Sequence, residues 1–218
     1  EKLNVLDLGV YPGITPKIMM EYYPGEKMIS KFHGLGIGFH NDFKLAMKNL
    51  NIELLEADLD PRLLKKNIPN KIGLNNNSVD LVMFTDVVEH FFDPYYALKE
   101  INRVLKIGSH LILTTDNVSR FYSLINILKG RSNYTPLIDS NIFYDGDWRA
   151  HFREYSKDEL LKLLKWVGFE IIEHEYYEAD FGQYFILNNK LKKIDKKKFS
   201  LKGKIVDNLR SLLIKFLP

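Results

Sequence analysis

Residues 77–117 read NSVDLVMFTDVVEHFFDPYYALKEINRVLKIGSHLILTTDN, and the order of their elements decides the fold. Val79–Thr85 is a near-continuous apolar run of strand length, which suits a strand buried on both faces. Asp93-Pro94 then opens a helix, with Asp as the cap and Pro at the first helical position. Ala97, Leu98, Ile101, Val104 and Leu105 fall on one face of that helix. Gly108 ends the unit, and His110–Thr115 is the next strand.

The same alternation extends outward. Asn4–Leu8, Phe32–Ile37 and Ile52–Ala57 read as strands, with helices over Thr15–Tyr22 and Asp42–Leu50, the latter capped by Asp42. Gly9, Pro12 and Gly13 end the first strand. Strands alternating with helices imply a parallel sheet covered on both faces. Downstream, Ser156 and Glu159 have capping-box spacing, and Leu160, Leu161, Leu163, Leu164 and Val167 follow before a stop at Gly168. Glu170–Tyr177 and Gln183–Leu187 close the body as two strands with a short connection, which predicts an antiparallel last pair. Residues 130–150 show no period and read as a loop or insertion. Doubly wound sheets bind ligands beyond the carboxyl ends of their strands. Here those ends are Gly9–Gly13, Gly36–His40, Asp58–Leu59, Thr85–His90 and Asp116–Asn117.

The chain has 218 residues, 45% of them hydrophobic and 27% charged, enough to bury a core and too apolar for wholesale disorder. It has no Cys. That excludes a disulfide framework, a thiolate metal site and a cysteine nucleophile, and it fits a reducing, cytoplasmic setting. No apolar run approaches the roughly 18 residues of a membrane span, and no signal peptide opens the chain. A strand beginning at Asn4 with no initiator Met predicts that further residues precede Glu1.

The net charge of +3 is a sum of unlike parts. From Lys190 onward ten basic and two acidic side chains give +8, and the preceding 189 residues, with 21 basic and 26 acidic, give −5. Lys204–Leu217 reads as an amphipathic helix carrying Ile205, Leu209, Leu212, Leu213 and Phe216 on one face. A basic amphipathic end suits peripheral contact with an anionic membrane, or packing on the body or on a second protomer. Nucleic acid is disfavoured, because Phe199 and Phe216 alone make no stacking platform.

The segments VLDLGVYPG, EADLDP and 77–117, followed by HFREYSKDELLKLLKWVGFEIIE, resemble the class I S-adenosylmethionine-dependent methyltransferases over roughly residues 3–187. The resemblance implies a Rossmann-like, doubly wound α/β body over 1–189. It would hold a mostly parallel seven-stranded sheet with an antiparallel last strand and an insertion or lid at about 118–155. Residues 190–218 follow as a basic amphipathic helical tail. It implies S-adenosylmethionine as cofactor. Gly9 and Gly13 would let the backbone approach it, with Asp7 orienting the loop. Asp58 would accept from the adenine amine beside Leu59, and Gly36 would stand at the ribose position. Thr85, Asp86 and His90 would border the methyl-transfer point.

Two positions depart from the family pattern. Tyr11 replaces the middle Gly of the first motif, and Gly36 replaces the acidic residue that takes the ribose hydroxyls. The expected activity is methyl transfer to a small-molecule, saccharide or lipid acceptor, at oxygen. The alternatives are a non-catalytic scaffold with a degenerate cofactor site at Tyr11 and Gly36, and an RNA methyltransferase. His90 and His151 are the candidate general bases for a hydroxyl acceptor. Some related enzymes, the ubiquinone-pathway O-methyltransferases and small-RNA 2′-O-methyltransferases, bind a divalent metal through a set similar to Asp86, Glu89, His90 and His151. The expectation here is no metal, with these carboxylates capping the helix or hydrating at the pocket rim.

Overall fold

The computed structural model describes residues 2–21, 28–62, 67–132, 149, 151–176, 184–187 and 190–193. The chain forms two compact units, Glu1–Ile171 and Ile172–Pro218. The first carries β1 (Leu3–Leu8), α1 (Ile14–Glu21), β2 (Ile29–Gly36), α2 (Asn41–Asn49), β3 (Ile52–Glu56) and β4 (Val79–Thr85). It continues through α3 (Pro94–Val104), β5 (Leu105–Thr114), α4 (Phe121–Leu128) and α5 (Lys157–Val167). Its five strands are all parallel, in the order β3-β2-β1-β4-β5. The order reverses between β1 and β4, and that reversal opens a crevice at their carboxyl ends.

Side-chain alternation along β1 feeds two cores. Leu6 and Leu8 pack with Val82, Phe84 and the α3 residues Ala97, Leu98, Ile101 and Val104, with Leu164 and Val167 of α5 completing that layer. Val5 packs the other way, with Phe32 of β2 and with Phe43 and Met47 of α2. The α3 start is fixed as its sequence dictates: the Asp93 carboxylate accepts from the Tyr95 amide at 3.3 Å, ahead of Pro94. A reciprocal capping box of Ser156 and Glu159 starts α5, and Gly168 stops it at φ 109°. Arg103 ties α3 to the loop before β4. Its guanidinium donates to both Glu100 oxygens at 2.9 and 2.8 Å and to the carbonyls of Ile72 and Leu74 at 2.9 Å.

Four expectations need correction. The antiparallel pair is not Glu170–Tyr177 with Gln183–Leu187. Residues 170–176 form no strand, and the antiparallel partners are β6 (Tyr184–Leu187) and β7 (Lys190–Lys193). Seven strands in one sheet are therefore not observed: the parallel sheet has five, and β6-β7 is a separate two-stranded sheet. Helix α4 lies within the insertion expected at about 118–155, ahead of the 130–150 stretch read as a loop, and its N-terminus has no side-chain cap. Helix α2 begins with His40 at the cap, so Asp42 lies in its first turn instead. The turn at Gly108 exists, at φ 79°, but inside β5, where the register slips between Val79 and Leu81. The tail helix expected over 204–217 lies outside the described residues, as do 133–148 and 150 of the insertion.

Candidate active site

The turn after β1 is tight against its neighbours. Gly9 (φ 74°) donates to the Leu35 carbonyl at 2.9 Å, and Gly13 (φ 86°) donates to the Val10 carbonyl at 2.6 Å. A Cβ on Gly9 would stand 2.5 Å from Val87 Cγ2, across the crevice between β1 and β4. Asp7, the acid of this turn, is buried, and burial pushes its carboxyl up to about 7.

Beyond β2 the protein supplies aromatic rings rather than a carboxylate. A Cβ on Gly36 would meet the Phe39 ring at 2.8 Å. Phe39 stacks on Phe43 at 5.4 Å, and Tyr11 leans on Phe43 at 5.2 Å while remaining exposed. The nearest acid is Glu56 at the end of β3, which accepts from the Gly38 amide at 2.8 Å.

After β3, Asp58 is fully buried. Its two oxygens take the two arms of Arg149, at 3.1 and 2.6 Å, and Oδ1 also accepts from the Asp60 amide at 3.2 Å. Asp60, also buried, accepts from the Phe92 amide at 2.6 Å and so ties this loop to the turn after His90. The Leu59 side chain belongs to the core.

The carboxyl ends of β4 and β5 carry the densest polar cluster. Thr85 pairs with Thr114 in the sheet. Asp86 (φ 53°) is held outward by Thr114, whose hydroxyl donates to its carboxylate at 2.8 Å. Glu89 points inward and is 2% exposed. Burial pushes its carboxyl up to about 7, the Thr115 hydroxyl bond opposes that shift, and the charges of Asp86 and Asp116 reinforce it. The Glu89 carbonyl accepts from the Phe152 amide at 2.8 Å, which seats residues 151–155 over this edge.

His90 and His151 meet edge to face at 4.7 Å. His90 Nδ1 is hydrogen-bonded to the Arg149 carbonyl, and His151 Nδ1 lies 3.4 Å from an Asp116 oxygen. Arg120 holds the other Asp116 oxygen at 2.7 Å and reaches Glu154 at 2.8 Å. The second Glu154 oxygen is buried without a partner, and burial raises the Glu154 carboxyl against the pull of Arg120. Glu89, His90 and His151 each offer one ligating atom within 4.8 Å of the others, as do Asp116, His151 and Glu154. Asp86 joins neither group.

The structure thus brings His90 and His151 together, with Glu89 beneath and Thr85 and Asp86 alongside, and places Asp7, Gly9 and Gly13 across the crevice. Sequence reasoning placed Asp116 at a ligand-facing strand end but gave it no role, and it missed Arg120, Glu154 and the Arg149–Asp58 pair. The Asp116–Arg120 spacing of four residues was a signal of sorts. Nothing local announces a contact between residues 58 and 149.

Residues 34–113 match a family model described as a methyltransferase domain. A methyltransferase chain solved from Archaeoglobus fulgidus, described as S-adenosylmethionine dependent, is 21% identical over 96% of this chain and 77% of its own, with a TM-score of 0.52. A chain from the complex of the Haloferax volcanii Trm112 methyltransferase activator with a methyltransferase is 18% identical over 79% of this chain, with a TM-score of 0.54. Among curated proteins, a polyketide synthase–nonribosomal peptide synthetase of Pyricularia oryzae is 28% identical over 131 residues, or 59% of this chain. The chain spans 64% of the Haloferax protein's length and 3% of the synthetase's.

Proposed function

Because the chain carries a class I S-adenosylmethionine-dependent methyltransferase domain, we propose that it methylates an oxygen of a small-molecule, saccharide or lipid acceptor. The observation that carries this reading is the pair of imidazoles at the ends of β4 and β5. A carbonyl can only accept, so the bond to Arg149 places the proton of neutral His90 on Nδ1 and leaves Nε2 basic. Asp116 favours the same arrangement in His151. Two bases thus face the end of the crevice where an acceptor hydroxyl would lose its proton.

The residues present fit the cofactor at its methionine end. The Gly9–Gly13 turn brings bare backbone to the crevice beside buried Asp7, and Asp58 stands at the end of β3 for the adenine amine. When bound, S-adenosylmethionine supplies a methyl group activated on a sulfonium. This chain's own part is to hold the acceptor in line, keep water out and take the proton. Calorimetric titration with S-adenosylmethionine tests the reading, and absence of both heat and thermal shift at millimolar ligand would sink it. His90→Ala and His151→Ala should each lower turnover while leaving cofactor affinity nearly unchanged.

A scaffold that keeps the fold without the chemistry is the second reading. Phe39 over Gly36 and Arg149 on Asp58 favour it, and the same titration decides between the two. For residues 190–218 we propose contact with anionic membrane. Co-sedimentation with phosphatidylserine vesicles should be lost when 194–218 are deleted. No helix among the described residues is long and apolar enough to cross a membrane.

A further inference from the structure

Arg149 does two things at once, 91 residues from one of its partners. Its guanidinium takes both oxygens of Asp58, and its carbonyl accepts from His90. The Asp58 side chain has no exposure, and that of Arg149 is 17% exposed, so the ion pair is shielded from water. A planar fork on a carboxylate is among the stronger polar contacts a protein makes.

We propose that Arg149 is an internal competitor for the adenine end of the cofactor site. The proposal rests on the reading of Asp58 as the adenine acceptor. A neutral adenine amine would offer its hydrogen to an oxygen that a charged guanidinium already holds. Binding therefore selects the fraction of molecules in which Arg149 has withdrawn, and the measured affinity falls by that fraction.

The experiment is calorimetric titration of S-adenosylhomocysteine into the wild type, Arg149→Gln and Arg149→Lys, with ligand-free melting temperatures measured alongside. Arg149→Gln should melt lower, because buried Asp58 loses its charged fork, and should bind about tenfold tighter or better. Arg149→Lys keeps the charge without the fork and should fall between the two, which preserves the test if the glutamine variant folds poorly. Equal or weaker binding by both variants, with measurable binding by the wild type, overturns the competition and leaves the cofactor reading standing. No binding by any of the three overturns the cofactor reading itself.

Discussion

Gly9→Ala tests whether the β1–β4 crevice is built as described, because the added methyl meets two separate obstacles. The backbone at Gly9 has φ 74°, where a side chain costs about 1–2 kcal/mol. The new Cβ would also lie 2.5 Å from Val87 Cγ2 and 3.3 Å from Cγ1. Val87 is β-branched and half-buried, so it has few rotamers to escape into, and overpacking of this kind costs about 1–3 kcal/mol. The total is about 2–5 kcal/mol, read as a lower urea midpoint at unchanged slope. Val87→Ala in the Gly9→Ala background removes the clash and leaves the backbone cost. The double-mutant cycle should then return a favourable coupling of about 1–3 kcal/mol. Val87 directly precedes the single turn Val88–His90, so the single variant should also weaken cofactor binding, and the double variant should recover part of it. A Gly9→Ala protein within about 0.5 kcal/mol of wild type would refute the reasoning. So would a Val87→Ala cost that simply adds.

Arg103→Met should destabilise the fold by about 2–4 kcal/mol, because it strands the buried Glu100 carboxylate and frees the loop carbonyls at Ile72 and Leu74. Adding Glu100→Gln should return much of that loss in chemical denaturation. Glu89→Gln should change the pH dependence of stability. The folded carboxyl, raised by burial to about 7 from an ordinary 4.5, holds a proton that the unfolded chain has released, so stability declines as pH rises between those values. The Gln variant keeps an acceptor for Thr115 and lacks that decline, so its advantage over wild type should be larger at pH 8 than at pH 4. Parallel pH profiles would refute the assignment.

In the β4-α3-β5 unit the strand β4 and the start of α3 were legible, because a buried apolar run and an Asp-Pro cap are local causes, while β5 begins at Leu105, ahead of the glycine read as its boundary. Helix α4 was not legible, since it is short, its N-terminus has no side-chain cap and no Gly or Pro marks its start. The run Glu170–Tyr177 resembles a strand by composition, yet Ile172 is 78% exposed and no strand among the described residues pairs with residues 170–176. In the site, the residues carried by strand ends were legible because the sheet places them. His90 and His151 were nameable singly, but their meeting depends on the Glu89 carbonyl seating residue 152. The Arg149–Asp58 pair and the Phe39 ring over Gly36 are long-range or rotameric facts that no spacing encodes.

Gly36 with Phe39 and Arg149 on Asp58 concern the side expected to take the adenosine, where the protein's own groups stand in the way, while Tyr11 belongs to the Gly9–Gly13 turn. The methyl-transfer side keeps buried acids at an energetic cost. Asp7 and Glu89 both sit with carboxyls pushed up to about 7 by burial, and Glu154 hides an oxygen with no partner. Burying such groups opposes folding, and apolar residues of similar size would pack these positions more cheaply. A scaffold that needed only its shape would gain by losing them. Perturbed acids gathered at the strand ends of a crevice, beside two oriented imidazoles, are what proton-transfer chemistry requires. These buried acids are the reason the enzyme reading is the one proposed over the scaffold reading. The two diverge in one respect: methyl-transfer turnover that falls in His90→Ala and His151→Ala at unchanged cofactor affinity exists only in the enzyme.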